Sequence, residues 1–220
     1  MAKLPVVTGQ NRLISSPKVL VIHILAVCTG NICRSPLVEK VLEHRLADLA
    51  VSISSAGTRA REGVPMTAQA IELAATRGVP AVVGGHGARL LTAADVHNAN
   101  LVIALARDHR REIVELAPSG LRNTFTAREF ARLSAGVSDD EIREAAQESA
   151  SGARNDSRDR LRAVLALVAR QRGLALPPAA PEDDDVVDPY RRSWTTYVKS
   201  AEQLDPALTA VERVLRLALG

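Results

Sequence analysis

Aromatic residues are nearly missing from this chain of 220 residues: Phe125, Phe130, Tyr190, Trp194 and Tyr197 are all it has. A core must therefore be built from Leu, Val, Ile and Ala, and the crowding of three aromatics between Tyr190 and Tyr197 marks that stretch. Cysteine is scarce too. Two cysteines cannot make the disulfide framework of a secreted domain, so a reducing cytoplasm is the expected compartment. Blocks of like charge are absent: the formal net charge is +3 and the basic residues are dispersed, which excludes a nucleic-acid-binding arm. The apolar run Val19–Val27 is far short of the roughly 20 residues that span a bilayer. It contains His23 and lacks a small-x-small cleavage site, so it is expected to be a buried strand, not a signal peptide. Cys28 and Cys33 have no nearby histidines, which excludes a zinc motif. Gly84-Gly85-His86-Gly87 lacks the third glycine of a dinucleotide loop. Neither metal nor cofactor is expected.

What is present reads as strands alternating with helices. Strands are expected at Val19–Val27, Val51–Ser54, Leu101–Leu105 and Leu121–Phe125. Apolar residues at helical spacing predict helices at Ser35–Leu49, Thr67–Arg77 closed by Gly78, Arg107–Ala117, and Thr126 (as cap) through Leu133. Thr92 is expected to cap a short helix ending near Asn98. This order predicts an α/β, three-layer, doubly wound fold with a four-stranded parallel sheet and helices on both faces. Its ligand site would lie at the carboxyl ends of the strands, where Cys28 stands. Residues 1–17 read as a flexible N-terminal extension, and 18–220 as a single domain. A helical insertion at about 136–181 is expected to carry helices at Asp139–Glu148 and Ser157–Gln171, with only a small apolar face. Two helices, Trp194–Leu204 and Ala207–Leu219, are expected to close the chain, with Pro206 opening the second. His23, His44, His97 and His109 read as core-edge, surface or helix-packing positions.

The chemistry concentrates in Cys28-Thr29-Gly30-Asn31-Ile32-Cys33-Arg34-Ser35-Pro36, a loop after the first strand that leads into a helix. A helix N-terminus presents unpaired N–H groups and the positive end of a dipole, which suits it to an oxyanion and favours a thiolate beside it. Five residues between Cys28 and Arg34 can wrap a tetrahedral dianion with inward N–H groups. Arg34 can grip two of its oxygens with a planar fork that Lys lacks. Cys28 is then placed for in-line attack on phosphorus, and Ser35 can donate to the thiolate.

This loop resembles the signature of the low-molecular-weight protein tyrosine phosphatases. So do Ser55-Ala56-Gly57-Thr58, Gly85-His86-Gly87-Ala88-Arg89 with Leu90-Leu91-Thr92, and Asp188-Pro189-Tyr190, all in the family's order. The resemblance implies a phosphatase acting on phosphate monoesters, by family default protein phosphotyrosine, through a cysteinyl-phosphate intermediate. Cys28 would be the nucleophile and Arg34 the phosphate ligand, with Thr29, Gly30, Asn31, Ile32, Cys33 and Ser35 completing the loop. Asn31 would hold the loop in shape, with Ser55 and His86 as hydrogen-bond partners behind it. The reaction needs a proton for the leaving oxygen and then a base for the attacking water, and one carboxyl can serve both in turn. That is the role expected of Asp188, with Tyr190 lining the cleft mouth. In the family a second loop cysteine can trap the oxidised nucleophile, which implies a reversible Cys28–Cys33 disulfide.

Two departures bear on substrate and partner. Many members carry an aromatic residue at the cleft entrance near Arg61, whereas this chain has Arg59-Ala60-Arg61, which favours an acidic or phosphate-rich substrate. The extension and the 136–181 segment are additions to the shorter members. A phosphorylated protein or a small phosphate ester is the expected partner and inorganic phosphate the product, with no nucleic acid, no membrane and an open oligomeric state. Two rival readings remain: an arsenate reductase using an external thiol, and a non-catalytic phosphoanion-binding or redox-sensing module.

Overall fold

A computed structural model describes residues 21–80, 85–150 and 156–220. The expected extension at 1–17, Val19 and Leu20 of the first strand, and Gly84 lie outside the described residues.

Four parallel strands form one sheet in the order β2-β1-β3-β4: β1 (Ile22–Cys28), β2 (Val51–Gly57), β3 (Leu101–Ala104) and β4 (Thr124–Thr126). β1 pairs in register with β2, from Ile22 opposite Val51 to Cys28 opposite Gly57. That register carries β2 three residues beyond the expected Ser54. It sets Ser55, Ala56 and Gly57 alongside the end of β1.

Side-chain alternation along β1 divides the core. Ile22, Ile24, Ala26 and Cys28 point into one apolar cluster, and Leu25 and Val27 into the other. The first face is covered by α1 (Arg34–Arg45), α2 (Ala68–Ala75), α5 (Ala127–Ala135) and the C-terminal α8 (Trp194–Leu219). The second is covered by α3 (Ala93–Asn98) and α4 (Arg107–Leu116). The three-layer α/β arrangement follows, with helices on both faces.

Thr92 and Thr126 each form a reciprocal capping box, with Asp95 and Glu129 respectively. Each satisfies two otherwise orphaned N–H groups and fixes where α3 and α5 begin.

Three expectations need correction. Leu121 is not in a strand: Pro118–Arg122 is a 3-10 turn, and β4 starts at Thr124. Pro118 suits the first position of a helical turn, and Gly120 is packed so tightly that an added Cβ would lie 2.5 Å from Val96. The chain does not break at Pro206 either, because Trp194–Leu219 is one helix with Pro206 inside it. The proline removes a single backbone donor, while Leu204, Ala207, Leu208 and Val211 continue one buried stripe across it. Finally, the apolar face of the 136–181 segment is not small. Its helices α6 (Asp139–Ala150) and α7 (Ser157–Arg170) bury Ile142, Ala146, Leu161, Val164, Leu165 and Val168 in the same cluster as α8.

Candidate active site

Cys28 is the last residue of β1, and α1 begins at Arg34 without a side-chain cap. The intervening loop therefore offers backbone donors at a helix N-terminus. Cys28 is buried, with its Sγ 3.0 Å from Ser35 Oγ and accepting from the Asn31 N–H at 3.3 Å.

Asn31 makes the turn possible. Its φ is +55°, a left-handed conformation that Asn tolerates better than most residues. Its Nδ2 donates to Ser35 Oγ at 2.9 Å and to Ser55 Oγ at 2.7 Å, and its Oδ1 accepts from the Arg89 N–H at 2.9 Å. Because Ser35 accepts from Asn31, its single hydroxyl proton is shared between the Cys28 sulfur at 3.0 Å and the Ala56 carbonyl at 3.4 Å. Ser55 Oγ donates to Glu39. His86 Nε2 reaches the Asn31 carbonyl oxygen at 2.6 Å, and its Nδ1 lies 4.0 Å from Glu39. Asn31, Ser55, Glu39 and His86 thus form a closed brace under the loop.

β2 ends against the same loop. A Cβ on Gly57 would lie 2.6 Å from the Thr29 carbonyl oxygen and 3.0 Å from the Asn31 nitrogen, so only glycine permits the approach. Thr58 and Arg59 donate their N–H groups to the Cys28 and Thr29 carbonyls, and Thr67 donates to that of Ile32.

Arg34 is buried. Its Nη1 donates to the Val186 carbonyl at 3.1 Å and its Nη2 lies 3.0 Å from Asp188 Oδ2. Its Nε has no hydrogen-bond partner among the described residues. Asp188 is half exposed, and its Oδ1 accepts from the Tyr190 N–H at 3.2 Å. Arg191 sets its guanidinium over the Tyr190 ring, 5.1 Å from the centroid.

These parts enclose a cavity of about 280 Å3 whose lining includes Cys28, Arg34, Asp188 and Tyr190. Thr29, Gly30, Ile32, Cys33 and Arg61 line it as well, together with Arg59 and Val64. The residues singled out from sequence are therefore brought together, either on this lining or, for Asn31, Ser35, Ser55 and His86, directly beneath it.

The Cys33 thiol also reaches two residues outside this lining. Its Sγ is 3.4 Å from Tyr197 Oη and 3.5 Å from Thr67 Oγ1, and both cysteines are free thiols. Burial pushes the Cys33 thiol up, and burial followed by the hydrogen bond to Cys33 pushes the Tyr197 hydroxyl up to about 12.

Two residues escaped the sequence reading. Glu39 has a signal in hindsight, since it lies four residues after Ser35 and so on the same face of α1. His109 is buried rather than superficial, and its Nε2 is 2.8 Å from Thr29 Oγ1. Burial, then the positive charge of Arg34, lowers its pKa to about 4, so it is neutral at pH 7. Its signal was topological: it opens α4 immediately after β3, at the carboxyl end of the sheet.

Among the described residues no group of three His, Cys, Asp or Glu is placed to hold a metal. No helix there is long and apolar enough to cross a membrane.

Comparison with known proteins agrees with the geometry. The sequence model described as low molecular weight phosphotyrosine protein phosphatase matches residues 23–171. The low molecular weight protein-tyrosine-phosphatase Etp of Escherichia coli is 41% identical over 95 residues, 43% of this chain and 62% of that protein. The chain thus matches less than two thirds of that relative's length. A protein-arginine-phosphatase of Geobacillus stearothermophilus is 35% identical over 108 residues, 49% of this chain and 70% of its own. The crystal structure of a low molecular weight protein tyrosine phosphatase from T. tengcongensis superposes with a TM-score of 0.57 at 26% identity, covering 86% of this chain and 97% of that one. The matched span takes in β1 from His23 onward, the loop and the other three strands, and on that ground the chain belongs to the low molecular weight phosphotyrosine protein phosphatase family.

Proposed function

We propose that the protein hydrolyses phosphate monoesters, with protein phosphotyrosine as the favoured substrate, through a phosphocysteine intermediate. The observation that carries this reading is the placement of Cys28 Sγ, held by the Ser35 hydroxyl and the Asn31 N–H on the floor of a cavity whose wall carries both Arg34 and Asp188.

In the first step Cys28 attacks phosphorus as the thiolate. The S–P bond forms as the ester P–O bond breaks, and protonated Asp188 gives its proton to the departing oxygen. The loop N–H groups and the guanidinium of Arg34, whose Nε is unspent, take the equatorial oxygens as charge builds on them. In the second step Asp188, now a carboxylate, removes a proton from water. The water oxygen bonds to phosphorus, the S–P bond breaks, and inorganic phosphate leaves with Cys28 restored as thiolate. Ser35 stabilises that leaving sulfur. A phosphate dianion entering the loop competes with Asp188 for Arg34, so substrate binding frees the carboxyl for proton transfer.

Arg61 on the cavity wall favours acidic residues flanking the phosphorylated one, and Tyr190 offers a partly exposed ring for an aromatic leaving group. The free thiols suit a reducing compartment such as the cytoplasm. Cys33 lies in the same loop, and under oxidation it would close on Cys28 as a reversible disulfide; this requires its side chain to leave Tyr197.

The test is turnover of p-nitrophenyl phosphate in reducing, mildly acidic buffer. Wild type should turn over, Cys28→Ser should be inactive, and Asp188→Ala should lose about 10²- to 10⁴-fold in kcat. A wild type that does not turn over, or a fully active Cys28→Ser, sinks the reading. Peptides carrying phosphotyrosine or phosphoarginine then rank the substrates.

A further inference from the structure

A larger cavity, about 840 Å3, opens at the other end of the sheet. Its lining includes Ala99 and Asn100, which immediately precede β3, and Asn123, which precedes β4. One wall is a stripe of α7. Arg158, Arg162, Leu165, Ala166, Ala169 and Arg170 fall at i, i+4, i+7, i+8, i+11 and i+12, one face of a helix. With Arg122 from the 3-10 turn and Arg172 beyond α7, five arginines line the cavity and no carboxylate does.

Two of the five are engaged. Arg172 donates to Glu129 at 2.8 Å and lies 4.4 Å over the Phe125 ring. Arg162 donates to Asp159 at 2.8 Å. Among the described residues Arg122, Arg158 and Arg170 meet no carboxylate, and residues 1–20, 81–84 and 151–155 contain neither Asp nor Glu. Several arginines elsewhere on the surface take acidic partners: Arg59 with Glu112, Arg107 with Asp185, Arg132 with Asp184, Arg213 with Asp139, Arg216 with Asp48. Cations gathered in one concavity without a counter-charge repel one another. Their convergence on one concavity asks for an anion.

We propose that this cavity binds an organic di- or triphosphate of nucleotide size. Arg122, Arg158 and Arg170 would hold the phosphates with planar forks matched to phosphate oxygens. Leu121, Leu165 and Ala166 provide an apolar floor for the organic part. The volume falls within the range of small-molecule sites, and its concavity favours a compact ligand over a macromolecular surface.

The probe is ATP, measured by equilibrium dialysis against the full chain at low salt. Arg122→Glu/Arg158→Glu should weaken ATP binding at least tenfold while leaving p-nitrophenyl phosphate turnover within twofold. Arg34→Ala, which disables the catalytic loop, should leave ATP affinity within twofold, and adenosine should bind at least tenfold more weakly than ATP. If circular dichroism shows that the double reversal is misfolded, Arg122→Gln/Arg158→Gln replaces it with the same expectation. The proposal is overturned if wild type retains no ATP, if Arg34→Ala rather than the double variant loses it, or if adenosine binds as tightly as ATP.

Discussion

Asn31 combines a left-handed backbone with three side-chain hydrogen bonds, to Ser35, Ser55 and the Arg89 N–H. Asn31→Ala keeps the thiol but removes the brace, leaving the part-buried Arg89 N–H unpaired at a cost of about 1–3 kcal/mol. The expected outcome is a fall of ten- to a hundredfold in kcat, with a smaller change in KM, measured with p-nitrophenyl phosphate. An activity equal to wild type would show that the loop holds its shape without the brace. His109 supplies a prediction in pH. Its folded pKa of about 4 lies below the ordinary histidine value of 6.5, so the unfolded chain binds a proton that the folded chain refuses. Its contribution to stability is complete above 6.5 and is lost as pH falls toward 4. Between pH 7 and pH 5 the loss is about 2 kcal/mol. Urea denaturation at both values should show that drop in wild type and a smaller one in His109→Gln. An equal drop in both would assign it elsewhere. Residues of this kind explain what was readable. Cys28, Arg34 and Ser35 announce themselves by spacing within one loop. Glu39 and His109 act on the loop from other elements, and their partners are set only when α1 and α4 pack.

At the scale of elements, β1, the loop and α1 were legible because apolar run, turn and helical stripe follow one another without conflict. Thr92 and Thr126 mark the starts of α3 and α5 because each is followed three residues later by an acid, Asp95 or Glu129. β4 was misplaced because Leu121 looks like a strand residue locally, and only Pro118 and tight packing at Gly120 decide otherwise. Pro206 misled in the opposite direction. A proline costs about 3 kcal/mol in a helix interior relative to Ala, yet α8 continues through it, since packing on both sides outweighs one missing bond. Replacing it should relieve that cost, less the order proline imposes on the unfolded chain. Pro206→Ala is expected to gain about 1–2 kcal/mol, a rise of roughly 2–8 °C in Tm for a chain this long. A lower Tm would mean that the ring itself is packed as part of the core.

Across the whole molecule, one apolar cluster runs from β1 through α8 into α6 and α7. The size of that contact was not legible, because α6 and α7 are polar on average and their apolar residues acquire partners only against α8. Leu161 is fully buried there, so Leu161→Ala should cost about 2–5 kcal/mol. Chemical denaturation followed by circular dichroism and by activity should give coincident transitions that shift together. Two separate transitions would make the helical hairpin an independent unit. The long reach of the chain also completes the site: Asp188 lies beyond the span matched by the family model, 23–171, and meets Arg34 only through folding. Asp-Pro-Tyr marked it in the sequence, but its placement depends on Val186 pairing with Leu105 and with Arg34. The central claim is that phosphate passes through the sulfur of Cys28. Acid quenching of Asp188→Ala during turnover, followed by peptide mass spectrometry, tests it most directly. A phosphoryl group on the Cys28 peptide, missing from Cys28→Ala, is the predicted result; turnover with that peptide unmodified, or with the group on another residue, would contradict it.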